Sequence, residues 1–347
     1  MLFNLALLSS AMEGGRLEVA EKASLNAQRV MWSEAGKGRG SASLASAEAI
    51  KIFKGEPFEK AMASIYSGIL YYNWGEFDSA RAAFSKALLA IKQKEENRED
   101  FALAYLLQAK TFLKLKEEDN ARIALDLAKR IYPNHPMLDL GTLASSNALV
   151  VIELGKAPKK TRVGPGASLI DWVRQPYPEL QALLSIDDSP FDEADEIGDL
   201  TYQAKTKGWT GKDTIQATKG ATRDAAVVTT IIAADQAARG NKTAGWVALG
   251  AGVFALANQS QADTRQWELL PDRFLARAFS LPVGRHTLRI RFLDRYRHAL
   301  SDYGQVWYYS RNSDSEDQIL LLRSKPCQRT GEWKSRQLNG GRDDEFD

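Results

Sequence analysis

Between residues 273 and 297 the chain carries seven arginines against a single acid, Asp294. Such a density of guanidinium groups draws a surface towards anionic lipid, nucleic acid or glycan. Arg277, Arg285, Arg289, Arg291 and Arg295 are the candidate contacts. On a strand the same charges serve equally to blunt an exposed sheet edge. A third use is internal, because residues 187–199 hold seven acids and no base and complement the arginines within one chain. Calcium is a poorer use of that acidic run: its spacing misses the EF-hand loop, and Pro190 interrupts it.

Nothing else has catalytic spacing. The patterns G-x-S-x-G, H-E-x-x-H, C-x-x-C and G-x-x-x-x-G-K-[ST] do not occur. Residues 240–243 end like a phosphate loop without its upstream glycine. The Gly/Ser stretch 33–43 has no strand before it and no Lys-Ser/Thr after it, so it reads as a connector. Three histidines and one cysteine, Cys327, give neither a zinc cluster nor a disulfide framework. The sequence therefore assigns no catalytic residue, no metal and no cofactor, and the chain reads as a non-enzyme. With 347 residues, 44% apolar and 26% charged, it has the length of two or three globular domains. A net charge of +2 makes no case for a nucleic acid partner.

The elements that would present a binding surface begin at residues 68–87. Gly68 and Ala80 are small where two short helices would touch, Tyr71, Phe77 and Phe84 fill the space between them, and Gly75 can end the first helix at positive φ. Gly15, Leu17, Ala20 and Ala27 repeat this spacing, as do Ala109, Phe112, Ala121, Leu125, Ala128 and Pro133, with Lys116 in the place of the turn glycine. The pattern resembles a tetratricopeptide unit, with Ser64 where Trp is favoured and Lys92 where Pro closes the repeat. Ala20 to Ala80 spans 60 residues and Ala80 to Ala121 spans 41, against a period of about 34. The repeats are irregular and carry insertions. Pro57 suits the first turn of a helix, and residues 136–154 read as a capping helix. A concave repeat face holds an extended peptide or a partner helix; Tyr66, Tyr72, Tyr105 and Lys110 are its candidate contacts, unless the aromatics pack between repeats.

Past residue 155 the character changes. Ser189 as N-cap and Pro190 in the first turn predict a helix running to about residue 207. Residues 225–257 hold two apolar segments, each short of the ~18–20 residues that cross a bilayer. They predict a buried helical hairpin, or one inserted into a membrane surface. After residue 259 the period becomes two. Residues 273–280 and 287–293 read as a hairpin about 281–284, with Leu288, Ile290 and Phe292 on one side and Arg289 and Arg291 on the other. Residues 305–309 and 318–322 read as further strands, and the polar chain from 325 as a disordered tail. The expected fold is α+β: irregular tetratricopeptide-like helical repeats over 1–157, a mixed segment over 158–260, a small sandwich-like β domain over 261–324, and the tail 325–347.

Three stretches point to a family: GEPFEKAMASIYSGILYYNWGEFDSARAAF, ELGKAPKK at 153–160, and ADTRQWELLPDRFLARAFSLPVGRHTLRI at 262–290. Together they resemble a group of bacterial envelope proteins, often lipoproteins, that place tetratricopeptide-like repeats before a C-terminal β domain. The resemblance implies a protein-binding scaffold or adaptor in the periplasm or at the outer membrane, and it carries over no catalytic residue. The alternative is a protein attached to a membrane surface through the 225–257 segments and the arginine-rich β domain. Leu2, Phe3, Leu5, Leu7 and Leu8 lack the basic flank and cleavage site of a signal peptide and read instead as the first helix of a repeat. A terminal repeat needs a polar cap, so this reading expects an export signal and a lipid-bearing cysteine upstream of Met1. The genomic DNA upstream of the Met1 codon tests it: an in-frame stop with no intervening start would leave a cytoplasmic scaffold.

Overall fold

Tight turns and small residues build the helical half. The computed structural model describes residues 1–33, 53–92, 101–163, 169–206 and 263–333; most of the 33–43 connector and the apolar segments 225–257 lie outside them. Helices α1 (Leu2–Glu13) and α2 (Leu17–Met31), α3 (Pro57–Asn73) and α4 (Phe77–Ile91), and α5 (Ala102–Lys114) and α6 (Glu118–Lys129) form three hairpins. Each turns in the same way. One residue after the first helix sits at positive φ: Gly15 at 66°, Gly75 at 78° and Lys116 at 60°. The next peptide N–H donates to the carbonyl five residues earlier, Arg16 to Ala11, Glu76 to Tyr71 and Glu117 to Phe112, each at 2.9 Å. These bonds satisfy carbonyls that a helix end leaves open. Within the second hairpin, a Cβ on Gly68 would stand 2.4 Å from the Phe84 ring; the absent side chain sets how closely α3 and α4 approach.

Helix α2 packs on α3, and α4 on α5. Helices α3 and α5 are buried around almost their whole circumference, because a sheet covers what the neighbouring helices leave open. That sheet has the order β10-β8-β7-β4-β5-β6-β1-β9. Its strands are β1 (Ala148–Leu154), β4 (Gln181–Ile186), β5 (Asp192–Asp199), β6 (Arg273–Phe279), β7 (Gly284–Leu293), β8 (Gln305–Arg311), β9 (Gln318–Arg323) and β10 (Arg329–Trp333). A separate ribbon pairs β2 (Lys159–Val163) with β3 (Leu169–Val173). Pairing is antiparallel except at the two ends, where β9 runs parallel to β1 and β10 parallel to β8. One face of the sheet, including Leu149, Val151, Phe274, Ile319 and Leu321, joins the helical core. On the other face Val150, Leu184, Ile290, Phe292, Trp307, Tyr309, Leu320 and Leu322 form a second core. Since β8 and β9 lie near opposite ends of the strand order, their meeting in one cluster requires the sheet to curl over on itself. The fold is α+β. No helix among the described residues is long and apolar enough to cross a membrane.

Several expectations are corrected. The capping helix at 136–154 is a 3₁₀ turn (Pro136–Leu138), a short helix α7 (Leu140–Ser145) and then β1. The run ALVVIEL is buried at every position, as a strand covered on both faces must be. The acidic helix at 189–207 is mostly strand β5, followed only by α8 (Leu200–Thr206). Asp187 and Asp188 take φ of 49° and 63°, and Ser189 N–H donates to the Ile186 carbonyl at 2.9 Å. Two successive positive φ values in such a turn are those of a tight hairpin, so Ser189 closes the β4–β5 turn instead of capping a helix. Strands β6 and β7 do not pair with each other: β6 lies between β1 and β5, and β7 between β4 and β8. Residues 329–333 are strand, not disordered tail. The sheet begins at Ala148, ahead of the expected β domain, and shares its core with the helices.

Lys116 occupies a left-handed conformation that costs a side chain roughly 1–2 kcal/mol. Lys116→Gly should therefore stabilise the protein by about 0.5–1 kcal/mol, after the entropy lost by glycine. Equilibrium urea unfolding measures it as a higher midpoint at unchanged slope.

Candidate functional site

The residues expected to line a repeat surface are inside. Tyr66, Tyr72, Tyr105 and Lys110 are all buried, so none of them lies on an open repeat face. The inner sides of the hairpins are spent on the chain's own sheet. Tyr66 donates its hydroxyl to Glu153 of β1 at 2.5 Å. Lys110 Nζ lies 3.1 Å from the Asp317 carboxylate and 3.2 Å from the Ser146 carbonyl. Burial pushes the Lys110 ammonium below its ordinary range, against the pull of Asp317.

The arginines are engaged as well. Arg289 meets Asp188 at 2.6 Å, Arg297 meets Glu193 at 2.9 Å, Arg273 meets Glu196 at 3.2 Å, and Arg277 pairs with Asp192. Arg291 stacks 4.0 Å over the Phe191 ring, Arg285 4.9 Å over Tyr308, and Arg295 5.8 Å over Tyr296. The acidic run reaches these groups as a strand and its turn, and the internal use of the charge is the one these pairs realise. Exposed pairs of this kind contribute only ~0–1 kcal/mol each; ladder hydrogen bonds and burial hold β5 in place. No group of three or more His, Cys, Asp or Glu among the described residues is placed to hold a metal.

What the topology creates instead is a gap. A cavity of about 380 Å³ lies where the two ends of the sheet face each other beneath the α1–α2 turn. Leu321, Leu322 and Arg323 of β9 line one side, every residue of β10 lines the other, and the rest of the lining includes Trp307, Tyr66, Glu153 and the α1–α2 turn at Glu13 and Gly14. Gly331 lets the Trp307 ring lie against β10, since a Cβ there would stand 2.4 Å from it.

The peptide groups bordering the gap follow from strand alternation. Gln318 N–H donates to the Asn147 carbonyl at 3.0 Å, and Ser324 N–H to the Glu153 carbonyl at 2.9 Å, so even-numbered residues of β9 face β1. Odd-numbered ones turn outward. Ile319 is met there by the Asn73 amide, which accepts from its N–H at 2.8 Å and donates to its carbonyl at 2.9 Å. The Arg323 carbonyl accepts from Gln305 Nε2 at 2.7 Å. Between them, the Leu321 N–H and carbonyl find no partner among the described residues. On β10, Arg329 N–H donates to the Gly304 carbonyl at 3.0 Å, which turns the peptide groups of Thr330 and Glu332 away from β8 and leaves them equally unpaired. By the strand order, β9 and β10 run antiparallel across the gap.

Glu153 stands at the inner end of this cavity, 4% exposed. Burial raises its carboxyl above the usual range; Arg323 opposes the shift and Glu13 adds to it. No cation among the described residues lies within ion-pair distance of it. Glu13, by contrast, is held by Lys325 and by Arg329 at 3.0 Å. Of the candidate contacts named from sequence, Tyr66 is the one that lines the cavity. Glu153 had a signal, a lone carboxylate inside the apolar run ALVVIEL. Neither protein-family models, nor curated proteins, nor solved structures match the chain.

A carboxyl whose folded pKa is raised contributes stability below its unfolded value, ordinarily 4.5, and loses it as pH rises through the folded value. Glu153→Gln cannot ionise. It should leave the melting temperature nearly unchanged at pH 4.5 and raise it at pH 8, a growing difference that thermal unfolding across the pH range would reveal.

Proposed function

We propose that this protein is a non-enzymatic binding module that takes an extended segment of a partner protein as an added strand between β9 and β10. The observation that carries the proposal is the set of peptide groups bordering one cavity that have no partner among the described residues, Leu321 on one side and Thr330 and Glu332 on the other. Open strand edges recognise extended peptides through main-chain hydrogen bonds, with side-chain pockets adding selectivity. A strand entering here would meet such groups on both of its edges, parallel to one neighbour and antiparallel to the other.

The helical half fits the same reading. Its three hairpins share one turn geometry, which supports irregular tetratricopeptide-like repeats whose inner face holds the sheet and, through α1, roofs the gap. The product is an adaptor, and the sequence resemblance to bacterial envelope proteins supports an envelope setting. Attachment to a membrane through the arginines is less well supported, since acids of β5 and its turn occupy several of them.

Thr330→Pro tests the proposal. It removes an outward N–H while leaving the bonds from β10 to β8 in place, and proline is tolerated at such edge positions. Peptides selected by display on the full chain should bind the wild type and lose about tenfold or more in affinity to the variant, given ~1 kcal/mol per hydrogen bond and the ring's obstruction of the edge. Equal affinity, or a display that selects nothing, would overturn the proposal. So would a concentration-dependent dimer abolished by Thr330→Pro, which would assign the gap to a second copy, or a gain in peptide affinity on removing residues 334–347, which would assign it to the chain itself.

A further inference from the structure

We infer that the cavity contains a cation subsite, built from Glu153 and Tyr66, that selects a lysine or arginine side chain on the inserted strand. The inference rests on the proposed strand insertion for its macromolecular ligand, though the subsite can be tested without it.

The cavity holds one buried carboxylate, Glu153, that no ion pair among the described residues satisfies. Three acids line it, Glu13, Glu153 and Glu332, with two bases, Arg323 and Arg329. Glu13 is neutralised by Arg329 and Lys325, while Arg323, turned to the Leu269 carbonyl, keeps its charge and acts on Glu153 only from beyond ion-pair distance. Glu153 and Glu332 are left without an ion-pair partner among the described residues. Charged carboxylates buried in proteins are normally paired, and among the described residues the Glu153 carboxylate is hydrogen-bonded by the Tyr66 hydroxyl, at Oε1.

The geometry of an added strand brings a cation to that carboxylate. In β1 and β9 the odd-numbered side chains Val151, Ile319 and Leu321 belong to the helix-side core, and Glu153 is on this side with Tyr66. A strand beside β9 sends every second side chain to the same side. It would lie two strand spacings from β1, roughly 9.6 Å, a span that a lysine and a glutamate side chain bridge together. Leu321 and Trp333 supply an apolar wall for the methylene stem, the arrangement in which long cationic side chains bury their stems.

The test uses n-butylammonium, a lysine side chain without its backbone, against n-butanol, which has the same stem without the charge. Titration calorimetry on the full chain should detect n-butylammonium binding at least tenfold tighter than n-butanol. Glu153→Gln should erase that preference. It retains an acceptor for Tyr66, so its fold is expected to persist and is checked by circular dichroism. Thr330→Pro should leave n-butylammonium binding unchanged while weakening the selected peptides. No n-butylammonium binding, or binding that Glu153→Gln does not alter, would overturn the subsite. Peptides that bind the wild type but show no loss when their lysine is replaced by norleucine would overturn it also, and leave strand insertion standing. If n-butylammonium binds through Glu153 while no peptide does, strand insertion fails and the subsite remains.

Discussion

A sheet that curls without closing leaves two rows of peptide groups that need partners, and the positions of the helices follow from how that need is met. Asn73, the last residue of α3, acts as a fragment of strand: one side-chain amide accepts from the Ile319 N–H and donates to its carbonyl. A buried peptide group left unmet costs about 1–3 kcal/mol, so this double bond fixes the end of α3 against β9. Tyr66 lies seven residues back, close to two helical turns, and therefore on the same face. The contact that satisfies the edge of β9 is thus also the one that delivers a hydroxyl to Glu153.

The acids and arginines have a different task. Asp192, Glu193 and Glu196 of β5, with Asp188 in the turn before it, would burden the middle of a sheet with like charge, and β6, β7 and the turn after β7 supply the arginines that offset it. Complementary charge of this kind contributes little net stability at an exposed surface. It penalises a register slip, because a one-residue shift would move every paired side chain to the opposite face.

The helical hairpins were legible in sequence because their signals are local. Gly68 against Phe84, and Gly75 at the turn, act within twenty residues, and the same holds for Gly15 and Lys116. Strand β1 was misread because a continuous apolar run carries no period to separate a buried strand from a buried helix. Strand β5 was misread because two aspartates at positive φ make a turn, while Ser-Pro followed by acids resembles a helix start. The candidate site was barely legible for a topological reason. Strands β6 and β7, neighbours in sequence, stand apart with β5 and β4 between them, and the gap exists only because β9 and β10 end the order. No spacing of residues announces which strands will be last.

Strand β1 lies between β6 and β9, both encoded more than a hundred residues downstream. During synthesis at ~5–20 residues per second, the sheet-facing sides of α3 and α5 leave the ribosome on the order of ten seconds before the strands that complete their cover. Helical hairpins need only local contacts and form far sooner. The nascent chain thus passes through a stage of folded helices with one long apolar flank exposed, at which two such chains on one messenger would adhere through the flank that carries Tyr66 and Lys110 and that the strands later cover.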